Sequence, residues 1–356
     1  MGIEIEFIPV GENTKNGDAI VVRYGKEGNY KIMVVDGGTK DSGRKIVEHI
    51  KKYYGTNYVD FVVNTHPDSD HASGLITVVE ELEIGELWMH LPWEHSSKIR
   101  DLFKDGRITD NSLAEKIKTS LNTAYQLYER ACEKEIPICE PFEGALIGEF
   151  KVLSPLEDWY VNYLLPDFPN LPERREQNVV SKALSEVYSK LLEWIEETWD
   201  KETLSENYES TGARNESSVV LYANVDDYKV LLTGDAGKQA LHNSADYAES
   251  IGVDLKECSF VQMPHHGSRR NVSPSVLDRI IGERVPEGDQ PTTTTYVSVS
   301  KQTEDHPKKI VVNAFIRRGA KVFETRGSTI RHHKNMPART NWNSLTPLTF
   351  NPDVEK

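Results

Sequence analysis

The sequence predicts an α+β fold in which two β-sheets pack face to face and helices cover their outer sides. Strand patterns come in two series, one over residues 1–92 and one from residue 149 onward, and helical patterns accompany both. The chain has 356 residues, of which 38% are hydrophobic, so it can bury a substantial core. Together these observations predict a sandwich of two sheets between helices.

The first series begins with an antiparallel meander. The runs IEIEFIPV, AIVVRYG and YKIMVVDGG are rich in β-branched residues and are separated by Gly, Asn and Asp. SGRKIVEHIKKYY then has apolar residues at helical spacing, and VDFVVNT returns to a strand. LITVVEELEI predicts a helix, GELWMHLP a strand, and residues 96–135 a charged helical stretch.

The second series opens with EFKVLSP and continues with SSVVLYANVDDYKVLLTGDAG, a predicted hairpin that turns at NVDD. SFVQMPHHGS, TTTTYVSVS and AKVFET predict further strands. Between them, helices are expected at 237–249, 274–282 and 306–318.

One domain is predicted over residues 1–340, with an insertion at about 155–213 and a loosely held tail at 341–356. The insertion opens with a stretch rich in Pro and aromatic residues and continues with an acidic helical pattern over residues 179–205. Strands resume directly afterwards, so we expect the insertion to lie over one edge of the core.

Composition and charge narrow the class of protein. The net charge of −14 argues against a protein that coats nucleic acid uniformly. Residues 156–211 carry 13 acids and 5 bases, whereas residues 301–340 carry 10 bases and 3 acids, which predicts either one basic face or scattered surface charges. No apolar run of roughly 20 residues and no secretory signal are visible. The three scattered cysteines fit a reducing compartment, so a cytoplasmic location is expected.

Imidazoles and carboxylates crowd together in NTHPDSDHASG, directly after the predicted strand VDFVVNT. His66, Asp68, Asp70 and His71 occupy six positions on a segment that leaves the strand, which directs them into one cavity. These ligand types suit Zn, Mn or Fe. The alternative is a polar turn whose side chains cap the next helix, but the density of the cluster favours a metal site.

Two further clusters stand at the ends of predicted apolar strands. KVLLTGDAG ends in Asp235, and SFVQMPHHGS ends in His265 and His266. Either cluster alone is weak evidence, since TGD turns and paired surface histidines are ordinary features. Three such clusters at the same topological position predict a metal cavity at one rim of the sandwich.

THPDSDHASG, NESSVVLY, LLTGDAG and MPHHGS, in this order, resemble the motifs of metallo-β-lactamase-fold hydrolases. The closer likeness is to the soluble hydrolase domain of ComEC-type competence proteins. Four further stretches resemble that domain: the opening IEIEFIPVG, GDAIVV and VVDGG, and the late SVSKQTEDHP. The resemblance implies a four-layer αββα metallo-β-lactamase sandwich with two divalent metal ions. By this likeness His66 and Asp68 bind one ion, Asp70 and His71 bind the other, and Asp235 bridges both.

The same resemblance makes His265 complete the second site, with His266 either the actual ligand or its neighbour. Asp36, in VVDGG, would brace a ligand or would simply be a turn residue. The commoner family pattern has a histidine where Asp68 stands and another before the TGD turn. In that interval this chain offers His90 and His95, neither in a convincing context, and then Asn215. The first site is then oxygen-rich, which favours a Mn pair, or one tight and one exchangeable ion.

The resemblance further implies a metal-dependent hydrolase. Two divalent ions, Zn or Mn, roughly 3.5–4 Å apart, would hold a bridging hydroxide and polarise the scissile centre. Asp70, His266 and His306 are the catalytic candidates. His306, in TEDHPKK, is either a general acid or phosphate contact, or only a residue at a helix start.

The substrate-binding candidates are Asn215, Ser268 and Arg269, because a guanidinium matches phosphate geometry, although Arg269 equally fits a plain surface charge. The favoured function is a phosphodiesterase or nuclease acting on nucleic acid or nucleotide phosphodiesters, which the basic segment 301–340 supports. One alternative is a hydrolase of a small ester, thioester or lactam, which an acidic insertion over the site would favour. Another is a metal-binding regulatory subunit of a multi-protein system, with a protein partner that the sequence does not identify.

Overall fold

The computed structural model describes residues 1–11, 15–175, 194–340 and 342–355. In this part of the chain the strands form two seven-stranded sheets and one two-stranded ribbon. The predicted α+β architecture is therefore confirmed.

The first sheet has the order β15-β1-β2-β3-β4-β5-β6. Its strands are β1 (Gly2–Phe7), β2 (Ala19–Lys26), β3 (Asn29–Gly37), β4 (Tyr58–Val63), β5 (Glu83–Trp88), β6 (Ile138–Cys139) and β15 (Ile330–Lys334). The first three strands are antiparallel, as the meander pattern predicts, and β3 to β6 are parallel. The parallel strands bring their carboxyl ends to one edge of the sheet.

The second sheet has the order β14-β13-β12-β11-β10-β8-β7. Its strands are β7 (Leu146–Ile147), β8 (Phe150–Ser154), β10 (Val220–Val225), β11 (Tyr228–Leu232), β12 (Phe260–Gln262), β13 (Thr293–Val297) and β14 (Ala320–Glu324). Strands β10 and β11 form the predicted hairpin, and Asp226 and Asp227 at its turn both have positive φ, as a tight two-residue turn requires. Strands β11 to β14 are parallel.

Helices cover the outer face of each sheet. The longer helices on the first sheet are α1 (Lys40–His49), α2 (Ser69–Glu81), α4 (Asp110–Ser120) and α5 (Asn122–Glu133), and those on the second are α8 (Lys238–Ser250), α9 (Pro274–Ile280) and α10 (Lys309–Arg317). The short helices are α3 (Ser96–Ile99), α6 (Glu157–Trp159) and α7 (Ala213–Glu216).

Alternation along the strands produces the four layers. Val21 faces the helices that cover the first sheet, whereas Val22 faces the second sheet. The core between the sheets contains Phe7 from the first sheet packed against Phe260 and Tyr296 from the second, with ring centroids 6.1 and 5.5 Å, respectively, from that of Phe7. The order helix, sheet, sheet, helix is that of the predicted αββα sandwich.

The insertion differs from its prediction. Residues 179–193 of the expected acidic helix lie outside the described residues, and residues 194–205 form strand β9 (Trp194–Glu196) and a loop instead of a helix. The buried Glu197 accepts hydrogen bonds from Asn313 and Arg317 of α10, at 2.8 and 3.1 Å. These tertiary contacts outweigh the local helical preference, so the expected helix is wrong for residues 194–205.

The last described residues, 353–355, are held more firmly than the expected loose tail. Residues Asp353–Glu355 form strand β16, which pairs antiparallel with β9. Val354 is fully buried, and the carboxylate of Glu355 accepts from the backbone N–H of Lys309 at 2.9 Å, which caps α10. No helix among the described residues is long and apolar enough to cross a membrane.

Candidate metal centre

The three predicted clusters converge on the carboxylate of Asp235. Its oxygens lie 3.4 Å from Nε2 of His71, 3.5 Å from that of His265, 3.7 Å from that of His66 and 3.8 Å from that of His266. The clusters follow β4, β11 and β12, so the strand ends of both sheets meet at one rim of the sandwich. Residues far apart in the sequence therefore share one site.

Several polar atoms in this site are buried without a protein partner. Among the described residues, Nε2 of His66, His71 and His266 and Oδ1 of Asp235 have no hydrogen-bond partner. Leaving such atoms unpaired costs free energy, and buried polar groups in native proteins nearly always have partners. A divalent cation accepts these lone pairs, and imidazole with carboxylate suits Zn or Mn. The side chains therefore fit a metal centre.

Asp36 orients the ring of His71. Its Oδ2 lies 2.8 Å from Nδ1 of His71, and its carboxylate also accepts from the backbone N–H and hydroxyl of Thr65 at 2.8 and 2.6 Å. The hydrogen bond at Nδ1 leaves Nε2 of His71 directed at Asp235. This is the contact that the predicted bracing role of Asp36 requires.

Burial and neighbouring charges set the protonation of the site. Burial alone would lower the pKa of His71, but the carboxylates of Asp235 and Asp36 raise it well above its ordinary value. Burial alone would raise the pKa of Asp235, but the surrounding imidazoles hold it well below its usual range. Burial lowers the pKa of His66, and it lowers that of His266 to about 3, so both rings are neutral and offer a lone pair.

Asp68 and Asp70 stand at the mouth of the site. Oδ2 of Asp68 lies 3.8 Å from Nε2 of His66, and its Oδ1 accepts from Arg214 at 3.2 Å. The carboxylate of Asp70 offers an oxygen within 4.8 Å of ring nitrogens of both His71 and His266. A cavity of about 360 Å³ opens beside the two carboxylates, lined by residues 67–70, residues 120–123 and Arg214.

Sequence reasoning missed three residues in this region. Asp18 is buried, and its carboxylate lies within 4.8 Å of ligand atoms of His71 and Asp235. Burial raises its pKa to about 7. Gln262 donates to Asp18 at 2.8 Å and accepts from the backbone N–H of Thr233 at 2.9 Å. The third missed residue, Asn271, bonds to the Asp235 loop. The only signal for Asp18 was its position in GDAIVV, before an apolar strand.

The four remaining predicted residues surround the histidine pair. His306 lies near the pair because the residue after it, Pro307, packs against Gly267, the residue after the pair. A Cβ atom on Gly267 would lie 2.5 Å from Cβ of Pro307. Burial lowers the pKa of His306. The Arg269 guanidinium lies 4.8 Å from the ring centroid of Tyr208, and its Nη1 is buried without a partner in the described part of the chain.

Ser268 and Asn215 both have hydrogen-bond partners among the neighbouring protein groups. Oγ of Ser268 accepts from the backbone N–H of Arg270 at 3.3 Å. Nδ2 of Asn215 donates to the hydroxyl of Thr211 at 2.7 Å and lies 3.0 Å from Nδ1 of His265. Asn215 is thus placed against the back of the His265 ring.

The basic segment 301–340 does not present its arginines as a free basic face. All five arginines of the segment form ion pairs with carboxylates: Arg317, Arg318, Arg326, Arg331 and Arg339. Of these, Arg317, Arg331 and Arg339 reach the fully buried carboxylates of Glu4, Glu6 and Glu197. Much of the positive charge in this segment is therefore neutralised inside the fold.

Comparisons with known proteins give a match over part of the sequence. Residues 14–119 match the family model described as the metallo-beta-lactamase superfamily, and no curated protein matches the chain. The chain is similar to the metallo-beta-lactamase fold protein YhfI from Bacillus subtilis, with 7% identity and a TM-score of 0.43, over 94% of this chain and 100% of that one. It is also similar to Zn(2+)-bound PqqB from Methylobacterium extorquens, with 10% identity and a TM-score of 0.41, over 93% and 99% of the two chains. The two-sheet architecture and the match over residues 14–119 identify the fold of this chain as the metallo-β-lactamase sandwich.

Proposed function

We propose that the protein is a metal-dependent hydrolase of phosphodiesters, with a nucleotide or the end of a nucleic acid strand as its substrate. The observation that carries this proposal is the cavity beside Asp68 and Asp70, which has the guanidinium of Arg214 in its wall. Guanidinium groups match the geometry and charge of phosphate oxygens. The resemblance to ComEC-type competence proteins points to the same class of reaction.

The donors around Asp235 would hold two divalent ions, Zn or Mn, which when bound supply Lewis-acid activation of water and of the scissile centre. The side chains of this chain do the remaining work. Arg214, in the wall of the cavity, binds a non-bridging phosphate oxygen, and Arg269, which follows the histidine pair by two residues, is a second candidate for contact with the substrate. His306 stands next to the histidine pair, where the N–H of its neutral ring would donate a hydrogen bond to a phosphate oxygen.

The size of the cavity favours a small substrate over duplex nucleic acid. About 360 Å³ lies at the small end of the range for ligand pockets, which suits a nucleotide-sized group. The ion pairs of the arginines in residues 301–340 also leave less positive charge for the broad basic surface that duplex binding needs. We therefore favour a nucleotide or a strand end as the group that enters the site.

The first test is hydrolysis of bis-p-nitrophenyl phosphate by purified protein supplied with Mn or Zn. We expect metal-dependent turnover that Asp235→Ala abolishes. Arg214→Gln should lower kcat/KM for this anionic diester by about 10-fold or more, the usual loss for a charged hydrogen bond, and should lower that for the neutral ester p-nitrophenyl acetate by much less. Arg270→Gln is the matched control, because Arg270 is exposed and pairs with Glu209 at 3.0 Å.

The outcome that rules out the proposal is equally clear. Protein shown to bind two equivalents of metal, yet without turnover of the diester with either ion, is not a phosphodiesterase. Turnover of p-nitrophenyl acetate alone would assign the site to neutral esters. Equal losses for Arg214→Gln on both substrates would remove Arg214 from phosphate binding.

A further inference from the structure

His265 and His266 adopt a backbone conformation that is uncommon for two adjacent residues with side chains. Both lie in the left-handed region, with φ of 45° and 56°. This conformation costs roughly 1–2 kcal/mol per residue other than glycine, so the fold holds it against a local preference. Strain of this kind concentrates at functional sites.

The conformation brings both imidazoles onto one carboxylate. In an extended strand, neighbouring side chains point to opposite sides. Here Nε2 of His265 lies 3.5 Å from Oδ2 of Asp235, and Nε2 of His266 lies 3.8 Å from Oδ1. The two rings thus approach different oxygens of the same group, with their planes inclined at 71°.

Hydrogen bonds on the far side of each ring hold it in place, and for His266 they also fix which nitrogen is free. Nδ1 of His266 lies 3.0 Å from the backbone oxygen of Ser298, so it carries the proton and Nε2 is a free acceptor. Nδ1 of His265 lies 2.9 Å from Oδ1 of Asn271. Nδ2 of Asn271 donates to the backbone oxygens of Asp235 and Ala236, at 2.8 and 3.3 Å, so the oxygen of Asn271 must face His265. His266 therefore presents a lone pair at Nε2, whereas Nδ1 of His265 lies between the oxygen of Asn271 and Nδ2 of Asn215, at 2.9 and 3.0 Å.

The donors around Asp235 divide into two sets. Nε2 of His265 lies 3.5 Å from Oδ2 of Asp235, an oxygen that His71 and His66 also approach, at 3.4 and 3.7 Å. Of these three rings, that of His66 also lies 3.8 Å from Asp68. His266 lies instead with Asp70 and His71, and the three offer ligand atoms within 4.8 Å of one another.

We propose that the adjacent histidines bind two different metal ions. His265 completes the set of His66 and Asp68, His266 completes the set of Asp70 and His71, and Asp235 lies between the ions. This rests on the metal dependence assumed in the proposed function, and it assigns both histidines instead of one.

The assignment changes the chemistry expected of the first site. Asn215 stands where a metal-binding histidine was expected, but it contacts the back of His265. The imidazole of His265 supplies the missing nitrogen, so the first set holds two imidazoles and two carboxylates. The second set has the same composition, and both suit Zn. We therefore expect two ions of similar affinity, not one tight and one exchangeable ion.

The test counts metal ions in pairs of substitutions. Purified wild-type protein and variants are dialysed against Zn²⁺, and bound metal per chain is measured by atomic absorption. Wild type should bind two equivalents, and His265→Gln and His266→Gln should bind one each. Adding Asp68→Asn to His265→Gln removes a second ligand of the same ion, so one equivalent should remain. Adding Asp70→Asn to His265→Gln damages both sets, so binding should fall towards zero.

His242→Gln is the matched control, because this half-buried histidine of α8 contacts Ser275 and Arg279, and it should keep two equivalents. Circular dichroism confirms that each variant is folded. Two equivalents in His265→Gln with unchanged affinity would overturn the proposal, as would a single equivalent in wild type. One equivalent retained by His265→Gln with Asp70→Asn would place both histidines on the same ion. The count needs no substrate, so absence of phosphodiesterase activity would leave this inference intact.

Discussion

Glu216, the last residue of α7, is a buried carboxyl group that accepts backbone hydrogen bonds from the first turn of α8. Its carboxylate accepts hydrogen bonds from the backbone N–H groups of Ala240, at 2.8 Å, and Gln239, at 3.4 Å. Burial raises the pKa of Glu216 to about 7, although these bonds and Lys238 oppose the shift. The residue therefore caps a helix in an environment that disfavours its own charge.

Replacement of Glu216 by Gln should change how stability depends on pH. The pKa of Glu216 in the folded state lies above its unfolded value of about 4.5, so the protonated carboxyl group stabilises the fold. The stabilisation is complete below about pH 4.5. This contribution disappears as the pH rises through about 7, and it amounts to about 3 kcal/mol in the free energy of unfolding. Urea denaturation between pH 4.5 and 8 should show wild type losing that much relative to Glu216→Gln. A constant difference across this range would contradict the prediction.

The residues that could be predicted at this scale are those that crowd together in the sequence. His66, Asp68, Asp70 and His71 follow one strand within six positions, so local density alone identifies them. Asp18 and Asn271 could not be found in this way, because each is a single polar residue in an ordinary turn. Their place in the site depends on which distant strands meet at the rim, and that is a property of the whole fold.

At the scale of elements, α2 lies in direct backbone contact with its neighbours. A Cβ atom added to Gly74 of α2 would lie 1.8 Å from the backbone oxygen of Gly37 in β3. A Cβ atom on Gly43 of α1 would lie 2.3 Å from the backbone oxygen of Gly74. Because α2 also carries Asp70 and His71, this close approach sets their depth in the site.

Gly74→Ala should therefore be destabilising. Alanine normally favours a helix interior by about 1 kcal/mol over glycine, so intrinsic propensity predicts the opposite sign. The added carbon must push backbone against backbone, and overpacking of this kind costs about 1–3 kcal/mol or more. Urea denaturation should show this loss, and Zn²⁺ titration should show weaker binding as α2 moves outward.

Gly106→Ala is the control for this substitution, because no described atom lies within 4 Å of the Cβ position at Gly106. It should leave both the free energy of unfolding and Zn²⁺ affinity close to wild type. If Gly74→Ala instead proves as stable as wild type, then the contact between α2 and β3 is looser than the structure shows.

Most helices and strands could be predicted because the spacing of apolar residues within each of them can be seen in a short stretch of sequence. The meander, the hairpin at NVDD and the helices α8 to α10 all follow from spacing alone. The helix expected over 194–205 could not be corrected from sequence, because buried Glu197 pairs with Arg317 of α10. The pairing of β9 with β16 likewise joins two segments that the sequence gives no reason to connect.

At the scale of the whole molecule, several arginines of residues 301–340 form ion pairs with carboxylates of distant segments. The net charge is −14. Arg331 and Arg339 reach the buried carboxylates of Glu4 and Glu6 on β1, and Arg318 pairs with Glu202 and Asp278. Such pairs hold distant segments together but leave little of this charge for a polyanion.

This charge distribution predicts how duplex DNA should affect activity. Binding to duplex depends on many phosphate contacts, and the release of counterions makes it weaken steeply with salt. With the arginines of 301–340 engaged in ion pairs, we expect duplex DNA at micromolar concentrations to leave hydrolysis of bis-p-nitrophenyl phosphate unchanged at roughly 0.15 M salt. A mononucleotide diester, thymidine 5′-p-nitrophenyl phosphate, should compete under the same conditions, because it fits the cavity beside Asp68. Inhibition by micromolar duplex that fades as salt rises would instead reveal a cationic path to the site, and a nucleic acid strand would then replace the nucleotide as the favoured substrate.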